Sequence, residues 1–161
     1  MSEKITLRPT VPDDQPLLAV IYGHTRQEEL DQATEWSDAQ KQAFVLHQFH
    51  AQDTYYKEVY PDAAYSIILY EGVPAGRLYV ERYLIVGTIR VIDIALLPEF
   101  RNLGIGAYLL EQLQAEARDS GKTLSIHVEK FNRAQTLYQR LGFQAIKETH
   151  GVYILMEWKA E

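Results

Sequence analysis

Val91–Gln114, VIDIALLPEFRNLGIGAYLLEQLQ, is the stretch around which the chain is organised. Its first part, Val91–Leu97, is a short apolar run, β-branched at its start and closed by Pro98, the pattern of a buried strand. Arg101-Asn102-Leu103-Gly104-Ile105-Gly106 follows, and Ile105, Leu109, Leu110, Leu113 and Ala117 then recur with the period of a helix. A strand therefore feeds a glycine-bearing loop that opens directly into a helix. The first turn of a helix carries backbone N–H groups without partners and a partial positive charge. Glycines there let an anion approach the backbone with no Cβ in the way. The stretch is built to cradle a phosphate.

Details separate the known kinds of phosphate loop. A Walker loop needs a Lys and a Ser or Thr after its second glycine, where this chain has Ala107 and Tyr108. The third small residue of a dinucleotide fingerprint would fall at Leu109. Neither fits. Arg-x-x-Gly-x-Gly after a strand that ends in Pro resembles instead the pyrophosphate loop of the GNAT superfamily, the acyl-CoA-dependent N-acetyltransferases.

The chain has 161 residues, 47% hydrophobic and 24% charged, which is the size and composition of one globular domain spanning 1–161. It contains no cysteine, so disulfides, thiolate metal sites and a cysteine nucleophile are excluded. Met-Ser-Glu-Lys-Ile at the N-terminus lacks an apolar signal core, and no segment has the length of a membrane span. A cytoplasmic protein with no membrane partner is expected. With 22 acidic against 16 basic side chains the net charge is −6, which offers no basic stripe to a nucleic acid and attracts rather than repels a small cation.

Lys4–Arg8 alternates like a short strand, and Val11-Pro12-Asp13-Asp14 reads as the start of a helix running to about Leu30. Ser37-Asp38-Ala39-Gln40 is a capping box that opens a second helix, ended by Pro61. Strands are expected at Ala64–Tyr70, Gly76–Tyr83 and Thr88–Leu97, the first two joined by the turn-forming residues 71–75. After the cradle helix, stopped by Gly121, come a strand at Thr123–Val128 and a short helix at Asn132–Leu141. Two more strands, Phe143–Glu148 and Val152–Trp158, finish the chain. Leu124-x-Ile126-x-Val128, then Asn132 and Ala134, then Leu137-Tyr138 and Leu141-Gly142-Phe143, is similar to a second GNAT passage, in the right order after the first. The resemblance covers nearly the whole chain. It implies an α/β (α+β) fold with a mixed central sheet of six to seven strands, one parallel pair splayed apart, and about four flanking helices.

The resemblance also implies a site. A bulge in the earlier strand of the parallel pair would open a gap for the acyl-CoA arm, with backbone groups of Ile94, Ala95 and Leu96 bonding the pantetheine amides. The loop Arg101, Asn102, Leu103, Gly104, Ile105 and Gly106 would hold the pyrophosphate, Arg101 adding charge. Tyr138 would give a proton to the leaving thiolate, and Asn132 would either touch acetyl-CoA or cap its own helix. A lysine-like amine is mostly protonated at pH 7, so a proton acceptor is required. Asp93, a carboxylate in an apolar run, is the first candidate; Glu81 is second and His127 third, each also readable as an ordinary strand residue. Glu28, Glu29, Asp31 and Glu35, with Asp53, Tyr55, Tyr56, Glu58 and Tyr60, would form a face for a cationic acceptor or merely a solvated helix end.

The leading expectation is an N-acetyltransferase that moves an acetyl group from acetyl-CoA to a primary amine of a small molecule or peptide, with no metal. A GNAT-like acyl-CoA sensor without turnover and a plain interaction protein are the competitors. Homodimers are frequent in the family, and one is an open expectation here.

Overall fold

The computed structural model describes residues 3–161; Met1 and Ser2, part of the segment without a signal core, lie outside them. In chain order the elements are β1 (Ile5–Pro9), α1 (Gln15–Thr25), α2 (Gln27–Gln32), α3 (Asp38–Val59), β2 (Ala64–Tyr70), β3 (Val73–Glu81) and β4 (Thr88–Leu96). Then follow α4 (Ile105–Ser120), β5 (Thr123–Glu129), α5 (Gln135–Arg140), β6 (Gln144–Thr149) and β7 (Tyr153–Trp158). The strands form one seven-stranded sheet in the order β1-β2-β3-β4-β5-β7-β6. Among the described residues only β4 and β5 pair in parallel, and α4 is the crossover that joins them, whereas β1 and β2 pair antiparallel although three helices connect them.

Alternation along the strands divides the interior into two cores. Ile68, Leu78, Val80, Val91, Leu124 and Ile126 face α4 and α5, where Ile105, Leu109, Leu110, Leu113 and Tyr138 meet them. Ile67, Tyr79 and Ile92 face the other way, onto Leu18, Ile21 and Tyr22 of α1 and Val45 and Phe49 of α3. The capping box is present: Gln40 N donates to Ser37 Oγ at 3.1 Å, and Ser37 N donates to Gln40 Oε1 at 2.8 Å. Gly121 closes α4 in the left-handed region, with φ 69°, as its place after the last apolar repeat predicts.

Three expectations need correction. The first helix does not run unbroken to Leu30: at Arg26 (φ −106°, ψ 7°) it breaks into α1 and α2, so that five α-helices stand among the described residues. Arg26 N donates to Gly23 O in a tightened turn, and its side chain turns inward to the Tyr22 hydroxyl at 3.1 Å. The strand expected from Gly76 starts at Val73, because only Glu71 (φ 50°) and Gly72 (φ 80°) are needed for the turn; Ala75 is bulged out of register with β2. Helix α5 begins at Gln135 and not Asn132, since Asn132 Oδ1 takes the Ala134 amide at 2.8 Å and holds a turn there.

Gly76 sets how closely β3 and β4 approach. A Cβ at this position would stand 2.1 Å from the carbonyl oxygen of Ala95, a backbone atom that cannot swing aside. Gly76→Ala is therefore expected to cost about 1–3 kcal/mol as an overpacked contact. The loss is measured by denaturant unfolding; an unchanged midpoint would mean that β4 yields without cost.

Candidate functional site

The ladder between β4 and β5 runs from Thr88↔Thr123 to Val91↔Ile126 and stops. The cause lies on the other edge of β4, where Val80 of β3 pairs with Val91 but Tyr79 pairs with Asp93. Ile92 is thus an extra residue, a bulge that bends β4 away from β5. Beyond it, Ile94–Leu96 remain paired with β3 and leave their other edge open, while His127–Glu129 pair with β7 alone. The gap is a cavity of about 160 Å³ with Ile92, Asp93 and Ile94 on one bank and Ile126–Glu129 on the other; Tyr22, Gln52 and Tyr56 roof it.

The bulge has a second effect. Strict alternation would put Asp93 beside Ile89 and Val91, under α4 in the apolar core. Instead Ile92 and Asp93 share the opposite face, across from Tyr79 and next to Arg77. Arg77 is 1% exposed. It is ion-paired with Asp93, donates to Gln52 Oε1 at 2.8 Å, and lies over the Tyr79 ring at 4.9 Å. Its Nε has no hydrogen-bond partner among the described residues. Burial works against the guanidinium charge, but Asp93 and the surrounding rings outweigh it, and the pKa is raised.

Tyrosines crowd the same carboxylate. Tyr138 is 4% exposed, lines the cavity and packs on Phe143 with ring centroids 6.0 Å apart. Burial first, and the charge of Asp93 second, push its hydroxyl pKa up, so the phenol holds its proton firmly. Tyr56 is shifted upward by the same two causes, and burial pushes Tyr79 up to about 12. At the far end of the cavity Arg26 is ion-paired with Glu129 Oε1 at 2.8 Å and donates to Glu29 Oε1 at 3.0 Å, tying the α1–α2 junction to the end of β5.

The cradle adjoins the open edge of β4. Pro98–Phe100 make one 3₁₀ turn, Asn102 (φ 63°) and Gly104 (φ 82°) reverse the chain, and buried Ile105 anchors α4. Gly104 is needed because this left-handed N-cap position strains any Cβ-bearing residue. Among the described residues, no protein acceptor meets the amides of Asn102 through Ala107. Arg101 folds back, donating Nε to the Leu96 carbonyl at 3.1 Å.

The structure thus brings Asp93, Ile94, His127, Asn132 and Tyr138 to one cavity, with the loop 101–106 at the end of the same strand. Glu81 is not among them. It pairs in register with Arg90, on the part of β4 still joined to β5, and its Oε2 accepts the amides of Tyr83 at 2.7 Å and Leu84 at 2.9 Å. It shapes the β3–β4 connection. The acidic group around α2 is likewise absent from the cavity: Glu28 pairs with Arg133 at 3.2 Å, Glu29 with Arg26, and Asp31 accepts from Gln27 at 2.7 Å. Arg77, Gln52, Tyr22, Arg26 and Tyr153 are cavity residues that sequence reasoning missed. Arg77 carried a usable signal, a charge inside the apolar run 75–80 of the strand beside Asp93.

Removing one member of a buried ion pair strands the other. Asp93→Ala is therefore expected to cost about 3–5 kcal/mol, and adding Arg77→Met to it should restore much of the loss, measured by denaturant unfolding of the two variants. Additive losses would show that the pair is not coupled.

A family model described as the acetyltransferase (GNAT) family matches residues 27–143. No curated protein matches the chain in sequence. Among solved structures, the PaiA N-acetyltransferase of Thermoplasma acidophilum in complex with coenzyme A superposes with a TM-score of 0.70 at 16% identity, covering 97% of this chain and 99% of that one. An acetyltransferase from Thermus thermophilus gives 0.69 at 20% identity over 96% of each chain. A GNAT family acetyltransferase from Elizabethkingia anophelis with acetyl-CoA bound gives 0.59 at 18% identity, covering 98% and 99%. At these identities the structural likeness is one of fold.

Proposed function

The chain belongs to the GNAT acetyltransferase family, and from that premise we propose that it transfers an acetyl group from acetyl-CoA to a primary amine of a small molecule or peptide, by direct attack of the amine on the thioester. One observation carries this reading: a run of amides, Asn102–Ala107, without acceptors among the described residues lies at the end of an open strand edge that leads to a buried phenol. Unpaired N–H groups at a helix start suit a diphosphate, and an open β edge suits an extended chain of amides.

Acetyl-CoA supplies the activated acyl group, and the chain supplies everything else. Amides of Leu103 to Gly106 hold the diphosphate, and Arg101 swings from Leu96 to add its charge. Backbone groups of Ile94, Ala95 and Leu96 take the pantetheine arm as an added strand, which sets the thioester in the gap. An N–H of this open edge stabilises the developing oxyanion. Tyr138, which burial and the charge of Asp93 hold in the protonated form, donates its proton to the departing sulfur. Asn132, already bound to the Ala134 amide, shapes the wall beside Tyr138. Asp93 is committed to Arg77, so its part is to keep the phenol protonated and the guanidinium neutralised.

Thermal shift with acetyl-CoA, followed by thiol release over a panel of primary amines, tests the reading. Stabilisation together with amine-dependent thiol release is expected; stabilisation with no release for any amine would mean a sensor. Tyr138→Phe should lower kcat by about a hundredfold or more with acetyl-CoA affinity nearly unchanged, and an unchanged kcat removes Tyr138 from the chemistry. Gly106→Glu tests the cradle. A Cβ at Gly106 meets only Leu137 Cδ2 at 3.7 Å, so the fold accepts it. A carboxylate there should weaken acetyl-CoA binding at least tenfold at unchanged Tm, and normal binding by calorimetry would place the diphosphate elsewhere.

A further inference from the structure

Three side chains on the two banks of the cavity carry an atom that could accept a proton from an amine: Asp93, Glu129 and His127. Asp93 is bound to the guanidinium of Arg77. Glu129 is bound to that of Arg26 at 2.8 Å. His127 alone has no hydrogen-bond partner among the described residues, and it is exposed to the cavity. It is the first residue of β5 past Val91↔Ile126, the last pair of the parallel ladder. By alternation it shares the face of Ser125 and Glu129, opposite buried Ile126 and Val128. On β4 the bulge puts Asp93 on that same face. The imidazole therefore flanks the gap on the side lined by Tyr22 and Tyr56.

Building on the transferase reading above, we propose that His127 accepts the proton that the attacking nitrogen must lose. The neutral amine forms its C–N bond to the acyl carbon, and the nitrogen, now cationic and acidic, passes one proton to the free ring nitrogen of His127. The C–S bond breaks with its electron pair on sulfur, which takes the Tyr138 proton. The imidazolium then returns a proton through water to the Tyr138 phenolate, so that an amide and a thiol leave and the protein is restored. The groups facing His127 favour its neutral form. Burial comes first, and Arg90 on β4, Lys147 on β6 and His150 in the β6–β7 turn add their opposition to a positive charge, so the pKa lies below its ordinary value. The acids on this face, Asp93 across the gap, Glu129 and, in register beside Ser125, Glu157, do not reverse that direction. Tyr153 completes the surroundings on β7.

The sign follows directly. Activity needs the neutral imidazole, so it is lost as pH falls through the His127 pKa. Ionisation of the amine itself gives log(kcat/KM) a slope of one against pH, and His127 adds a second proton below its own pKa. The full chain is assayed with the primary amine turned over fastest in the panel. The wild type should show a slope of two breaking to one at the pH where the His127 imidazole titrates by NMR in the absence of acetyl-CoA. His127→Gln should lower kcat by about a hundredfold, abolish the break, and leave Tm and acetyl-CoA affinity unchanged; external imidazole should partly rescue His127→Ala. A glutamine variant that keeps the rate or the break, or a break that does not coincide with the imidazole titration, overturns the proposal while the transferase reading stands. A wild type that releases no thiol with any amine overturns both.

Discussion

The structure depends on one interrupted ladder. A parallel strand pair normally satisfies the backbone groups along both facing edges, and an unpaired edge inside a fold is costly unless something fills it. Here the extra residue Ile92 ends the pairing after Val91↔Ile126, with the gap held open from both sides. Gly76 lets β3 pull β4 close on one side, while β7 holds His127–Glu129 on the other. The two cores, beneath α4 and beneath α1 with α3, keep these strands from collapsing together. The opening is thus braced by a paired strand on each bank.

The same bulge organises the charges. A one-residue shift reverses the face of every following side chain, and it delivers Asp93 to Arg77 instead of to the leucines of α4. A buried guanidinium with a carboxylate, a glutamine and aromatic faces around it is the arrangement in which such a group is tolerated. The phenols that share the cavity are held in their protonated form by burial and by Asp93. Every cavity carboxylate is matched to an arginine, and the imidazole is left over. The acidic residues of α2 serve other ends: their ion pairs with Arg133 and Arg26 lie at the surface, where such contacts contribute roughly 0–1 kcal/mol each.

Local signals were easy to read wherever a single physical cause acted alone. The apolar repeat from Ile105 to Ala117, closed by Gly121, marks α4 to the residue, and the Ser37–Gln40 box marks the start of α3. Signals failed where a side chain bonded in a way that the apolar period does not reveal. Arg26, at the break in the first helix, reaches Tyr22 nearby and Glu129 far away in sequence, and Asn132 holds a local turn with the Ala134 amide at the expected start of the helix. Glu81 and Asp93 look alike in the sequence, both carboxylates within apolar strands. One lies on the closed part of β4's neighbourhood and caps loop amides; the other lies where the ladder has ended.

What the sequence determined by itself is the order of elements, the glycine-bearing helix start and the phenol at Tyr138, because period, capping and motif spacing are properties of neighbouring residues. Only the tertiary structure decided which charged groups meet. A strand read alone gives no sign of where its partner lets go, and the face of Asp93, the commitment of Arg77 and the freedom of His127 all follow from that point.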